Sequence, residues 1–191
     1  MIATVNGREM FVSPALENLE ELLLYMMETQ KDEEVVEVRV NGERFSEAYQ
    51  HQARSVMLKE INSIEIITEK RGVLAAEFLK DVSSYIEMLK KGFFESVILL
   101  RNFEKEHQGY KLLAQSLDML KAFLEHLNNV LPHLKNGEKI KMEKNYKRFL
   151  KTFAPLTEEI ILSQEVADSM LLADLIEYEF IPLLDKWKEA L

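Results

Sequence analysis

The 191-residue chain contains no cysteine. That absence excludes disulfide staples, thiolate nucleophiles and zinc–cysteine centres together. Six glycines and four prolines leave little material for a phosphate-cradling loop. No Gly-rich nucleotide motif, Gly-x-Ser-x-Gly elbow or His-Glu-x-x-His pair occurs. No apolar run approaches the ~20 residues that a bilayer span needs. The densest, "GFFESVILLRNF", is interrupted by Glu95 and Arg101. A basic leader followed by an apolar stretch is also missing, so no secretion signal is read and a cytoplasmic setting is expected. The net charge of −9 argues against a general nucleic-acid binder, and no membrane partner is implied.

What is present is an ordinary globular composition, 47 % hydrophobic and 30 % charged, in a chain long enough to bury a core. Charge is unevenly spread. Residues 1–70 hold 7 basic and 14 acidic side chains, whereas residues 71–191 hold 17 and 19. Within the second part, "KNGEKIKMEKNYKRFLK" is locally basic, and the last 36 residues are acidic again. Solvated, mutually attracting helix faces explain this pattern; a binding surface made by Lys139, Lys141, Lys144, Lys147, Arg148 and Lys151 is the functional reading.

Two Asn-Gly steps stand between strand-forming residues, in "TVNGREMFV" and "VRVNGERF". Asn-Gly supplies the positive φ angles of a type I′ turn. Ile2–Val5 should pair with Arg8–Val12, and Val35–Val40 with Glu43–Phe45. Between them "SPALENLEELLLYMMETQ" reads as a helix with Ser13 as N-cap, Pro14 at its first position, and Leu16, Leu19, Leu22 or Leu23 and Met26 on one face. "SIEIITEK" alternates as a further strand.

This order, ββαββ and another strand, resembles the β-grasp or ubiquitin-like fold over residues 1–70. The small sulfur-carrier proteins of thiamine synthesis are nearest in style. Carriers of that kind end in a free Gly-Gly whose carboxylate is activated. Here "EKRGVLAAEF" continues into a helix and Gly72 stands alone. The resemblance therefore implies a docking or structural module; a carrier relative that has lost its Gly-Gly is the alternative.

From residue 73 the apolar period becomes about 3.6. Leu74, Phe78, Val82, Tyr85 and Leu89 form a stripe, with Gly92 as a stop or kink. "FFESVILLRNFEKEHQG" is apolar nearly all round and is expected deep in a bundle, with a break at Gly109. Leu113, Leu117, Leu120, Leu124, Leu127 and Leu131 keep a 4-3 spacing, compatible with a homodimer seam but explained equally by one internal stripe. Pro132 should end that helix. A basic helix is expected from Lys139 to Phe153, broken by Pro155, and a last one from Thr157 onward, kinked at Pro182. The fold class expected is α+β: a β-grasp-like domain over residues 1–70, then an antiparallel bundle of four to five helices over residues 71–191.

Residues that could do chemistry are few. His51, His126 and His133 read as surface or capping groups. Glu104 and His107 match one of the two Glu-x-x-His pairs that a di-iron bundle requires, and no second copy exists. No metal, cofactor or catalytic residue is assigned. A helical wheel of the last segment sets Asp168 and Glu179 within an apolar arc, and Arg101 lies in the apolar run "VILLRNF". Buried charges occur paired, so an Arg101–Glu179 ion pair is expected, with Asp168 as the other acid. The functional expectation is a non-catalytic adaptor, chaperone-like or regulatory protein that binds another protein. A metal–carboxylate bundle enzyme is the rival.

Overall fold

The computed structural model describes residues 1–45 and 50–191. The chain divides into two compact units, Met1–Leu74 and Ala75–Leu191.

In the first unit, strands β1 (Ile2–Val5) and β2 (Arg8–Glu9) flank the first Asn-Gly step. Helix α1 (Leu19–Thr29) precedes β3 (Glu33–Val40) and β4 (Glu43–Arg44), and a short helix α2 (Gln50–Ala53) precedes β5 (Ser63–Lys70). The five strands form one mixed sheet in the order β2-β1-β5-β3-β4, with β1 parallel to β5. A five-stranded mixed sheet with one main helix is compatible with a β-grasp-like domain. Asn6, Gly7, Asn41 and Gly42 all adopt positive φ, as type I′ turns demand. Each Asn also ties its turn to the ends of β5. Asn6 Oδ1 accepts from the Thr68 amide at 3.0 Å, and Asn41 Oδ1 accepts from the Asn62 and Ser63 amides at 2.8 and 3.1 Å. Ile64 and Ile66 point to one face and bury against Leu19, Leu22 and Met26 of α1.

Two expected details of this unit change. Pairing of β2 stops at Glu9 and not Val12, and Phe11 is 82 % exposed. Helix α1 starts at Leu19, because Asn18 offers a better cap than Ser13. Its side chain accepts from the Glu21 amide and donates to the Glu21 carboxylate, both at 3.0 Å, which makes a capping box.

The second unit is helical: α3 (Arg71–Leu100), α4 (Glu106–Val130), α5 (Asn136–Glu165), α6 (Ser169–Asp174), a π-helical turn (Leu175–Phe180) and α7 (Ile181–Ala190). A single core runs through it, with Ile86, Phe93, Leu113, Leu127, Phe180 and Leu184 fully buried. No helix among the described residues is long and apolar enough to cross a membrane.

Glycine and proline act differently here from the sequence expectation. Gly92 and Gly109 lie inside α3 and α4 and break neither. A Cβ on Gly92 would stand 2.7 Å from Ser116 Oγ, and one on Gly109 would stand 2.7 Å from the Leu100 backbone nitrogen. Both glycines permit close approach of helix to helix. Pro132 does end α4, in a 3₁₀ turn over Leu131–His133. Gly137 lies in the first turn of α5, three residues before the expected basic helix gathers pace. Pro155 sits within α5 on its exposed face, so the carbonyl it leaves without a donor faces water and the helix continues.

The last helix is not continuous from Thr157. Ala167 takes φ 54°, the Asp168 amide donates to Ser163 O at 3.0 Å, and the Ala167 amide donates to Gln164 O at 3.1 Å. This is a Schellman stop with alanine in the glycine position. Farther on, the Pro182 ring would clash with the carbonyl four residues before it. The preceding turn widens, and the Ile181 amide donates to Ile176 O, five residues back.

Candidate functional site

The seam of α4 divides by burial. Leu113, Leu120 and Leu127 are buried, while Leu117 and Leu124 are half-buried. A strict seven-residue spacing drifts against 3.6 residues per turn, which leaves alternate seam residues at the flank of the stripe. On α5, Met142 and Phe149 enter the core, and Tyr146, Leu150 and Phe153 stay at its margin. These margins meet in an open groove of about 510 Å³, lined by Leu117, Leu124, Tyr146, Leu150 and Phe153, with Lys121 and Glu125 at its edge. Burial pushes the Tyr146 phenol above its ordinary range.

The solvent side of α5 is basic. Lys141, Lys144, Lys147, Arg148 and Lys151 are exposed, and Lys139 is half-buried. Lys147 and Lys151 directly follow the groove residues Tyr146 and Leu150, about 100° farther round the helix, at the lip of the groove. Lys141 Nζ donates to the Leu191 carbonyl at 2.5 Å. Among the described residues, none of these six cations lies within ion-pair distance of a carboxylate. Elsewhere lysines do have such neighbours: Lys91 with Glu95, and Lys121 with Glu125, each at 3.9 Å.

The expected Arg101–Glu179 pair does not form. Arg101 opens the turn over residues 101–105; its Nη2 donates to Asp174 Oδ1 at 2.7 Å, and its Nη1 lies 2.5 Å from Glu177 Oε2. Its guanidinium also stands 5.8 Å from the Tyr178 ring centroid. Hydrogen bonding to Asp174, then to Tyr178, raises its pKa from an already high value. Glu179 is exposed, and Asp168 is the exposed N-cap of α6, accepting from the Leu171 amide at 2.9 Å. The wheel failed because the Schellman stop and the π turn each shift the helical phase. The "VILLRNF" run is likewise not deep on every side: Phe94 and Ile98 are about half exposed, and Phe103 is 91 % exposed.

Glu104 lies in the turn before α4 and His107 in its first turn, so they do not share a helix face. No three His, Asp or Glu side chains among the described residues are grouped as metal ligands would be. His126 is exposed and stands edge-on to Phe78 at 4.5 Å, and His133 closes the 3₁₀ turn. The His51 side chain lies outside those described. In the first unit, a groove of about 670 Å³ runs between α1 and β3, with Leu24, Met27 and Val36 exposed and Glu20, Glu34 and Glu37 at its edge.

Residues 77–190 match the family described as Domain of unknown function (DUF8042). The chain belongs to that family. Residues 1–69 match a second description, Domain of unknown function (DUF8043). No curated protein and no solved structure matches the chain. The DUF8042 region contains both the groove and the basic stripe. Sequence reasoning named the stripe but missed the groove. The signal for it lay in "NYKRFLKTF", where Tyr146, Leu150 and Phe153 extend the apolar stripe beyond what one core-facing edge requires.

Proposed function

We propose that the protein is a non-catalytic binding component, an adaptor or regulatory module of the cytoplasm, that docks another protein on the α4–α5 face of an antiparallel helical bundle. The carrying observation is the open apolar groove bordered by exposed cations that have no acidic neighbour. Lys144 and Arg148, and Lys147 and Lys151, are like charges four residues apart. Such pairs destabilise a helix by roughly 0.2–0.5 kcal/mol each. In a chain of net charge −9, a stripe that carries this cost on one helix supports selection for a partner. The aromatic and aliphatic lining suits a protein ligand better than a polyanion, which the net charge would repel. The first unit, with its β-grasp-like strand order, serves in this reading as a docking or structural head.

A photo-crosslinking residue at Leu124 in the full chain, expressed in its host, tests the reading. One discrete crosslinked product is expected, absent when the probe is moved to exposed Met88. No product at Leu124, or equal products at both positions, overturns it.

A further inference from the structure

We infer that the occupant of the α4–α5 groove is an acidic amphipathic helix of another protein; this rests on the docking surface proposed above. Three observations select a helix of that charge. First, the α4 lining runs from Leu117 to Asn128, eleven residues or about 16 Å of helix. That length matches three turns of a partner helix, whose anchors at i, i+3 or i+4 and i+7 fit a groove between two helices. Second, both walls are helices, whose backbone groups are already hydrogen-bonded within themselves. An extended peptide would therefore find no edge on which to pair, whereas a helix brings its own backbone bonds satisfied. Third, the lip is cationic where a partner's flank would rest. Lys147 and Lys151 border the α5 side and Lys121 the α4 side, against one acid, Glu125, which Lys121 already faces at 3.9 Å. Lys144 and Arg148, on the outer face of α5, extend the same field beyond contact.

Apolar anchors supply the burial and the lip charges select the partner. A helix with acidic flanks is drawn in, and one with basic flanks meets like charge.

The test uses the full chain and three synthetic 14-residue probes read by fluorescence anisotropy. The first is an amphipathic helix with a leucine stripe and glutamate flanks, the second carries lysine in place of each glutamate, and the third has the first composition with prolines that forbid a helix. The acidic helix is expected to bind at least tenfold tighter than either other probe, and more weakly as salt is raised. Lys147→Glu with Lys151→Glu should remove or reverse the preference, and Lys80→Glu, on exposed α3, should leave it unchanged. Equal binding of the acidic and basic helices overturns the inference, as does a preference indifferent to Lys147 and Lys151. If no probe binds while the Leu124 crosslink persists, the docking surface stands and the acidic-helix occupant falls. If the chain alone sediments as a dimer that the double substitution dissociates, a second copy fills the groove and the inference is again overturned.

Discussion

Glu87 Oε1 lies 2.7 Å from Lys188 Nζ, and this contact joins α3 to α7 beside a second one, Lys90 Nζ to Asp185 Oδ1 at 2.5 Å. Hydrogen bonds from Lys188 and then Lys90 hold the Glu87 carboxyl below its ordinary range. The hydrogen bond to Asp185 lifts the Lys90 ammonium above its own.

The pH dependence follows from those directions. A depressed carboxyl contributes stability above its unfolded value, about 4.3, and loses it as pH falls through the folded value. A raised ammonium contributes below about 10.4 and loses that as pH climbs past its folded value. Glu87→Gln should therefore flatten the acid limb of a melting-temperature profile, and Asp185→Asn the alkaline limb. An unaltered acid limb in Glu87→Gln would remove the Lys188 contact from the account.

The two core glycines should respond differently to alanine. At Gly109 the added methyl meets the Leu100 backbone, which cannot rotate away. A loss of about 1–3 kcal/mol is expected in urea unfolding, as for other overpacked sites. At Gly92 it meets only the Ser116 hydroxyl, and alanine gains about 1 kcal/mol of helix propensity over glycine. Gly92→Ala should be near neutral, and Gly92→Ala with Ser116→Ala more stable than wild type. Equal losses at both glycines would show that the helices, and not these atoms, set the cost.

Ala167 holds a left-handed conformation that costs an L-residue about 1–2 kcal/mol. Ala167→Gly should raise the unfolding midpoint, an unusual direction for a glycine substitution. A lower midpoint would mean that α5 does not end in this Schellman turn.

Removing the cap at Asn18 should cost about 1 kcal/mol, read as a lower midpoint with an unchanged denaturant slope. Ser13→Ala should do little, since Ser13 Oγ only accepts from the Ala15 amide within an exposed turn. Equal effects would return the helix start to Ser13.

Each compact unit should fold alone. Separate chains of residues 1–74 and 75–191 are expected to show cooperative melts, the second with a helical circular dichroism spectrum. A disordered second chain beside a stable full-length protein would make the two units one cooperative core.

Legibility in the sequence tracked how local each determinant is. The Asn-Gly turns were readable because φ above zero is a demand on two residues alone. The alternation of Ile64 and Ile66 was readable for a similar reason. Gly92, Gly109 and Pro155 were misread as breaks, because their effect depends on what stands opposite: a neighbouring helix for the glycines and open water for the proline. Arg101 was assigned the wrong carboxylate because a wheel presumes one unbroken phase from Asp168 to Glu179. The groove was illegible for a third reason, since it belongs to two helices and neither face shows alone that its partner stops short.

The π turn over Leu175–Phe180 works as a spacer whose length is counted in residues and not in ångströms. Deleting one residue there would return the turn to ordinary α geometry and swing everything after it by about 100°. Leu184 and Trp187, now buried, would rotate toward water, and half-buried Lys188 would lose its line to Glu87. Drift in the family at this point should run through exchange of side chains, with insertions and deletions displaced to the turns on either side.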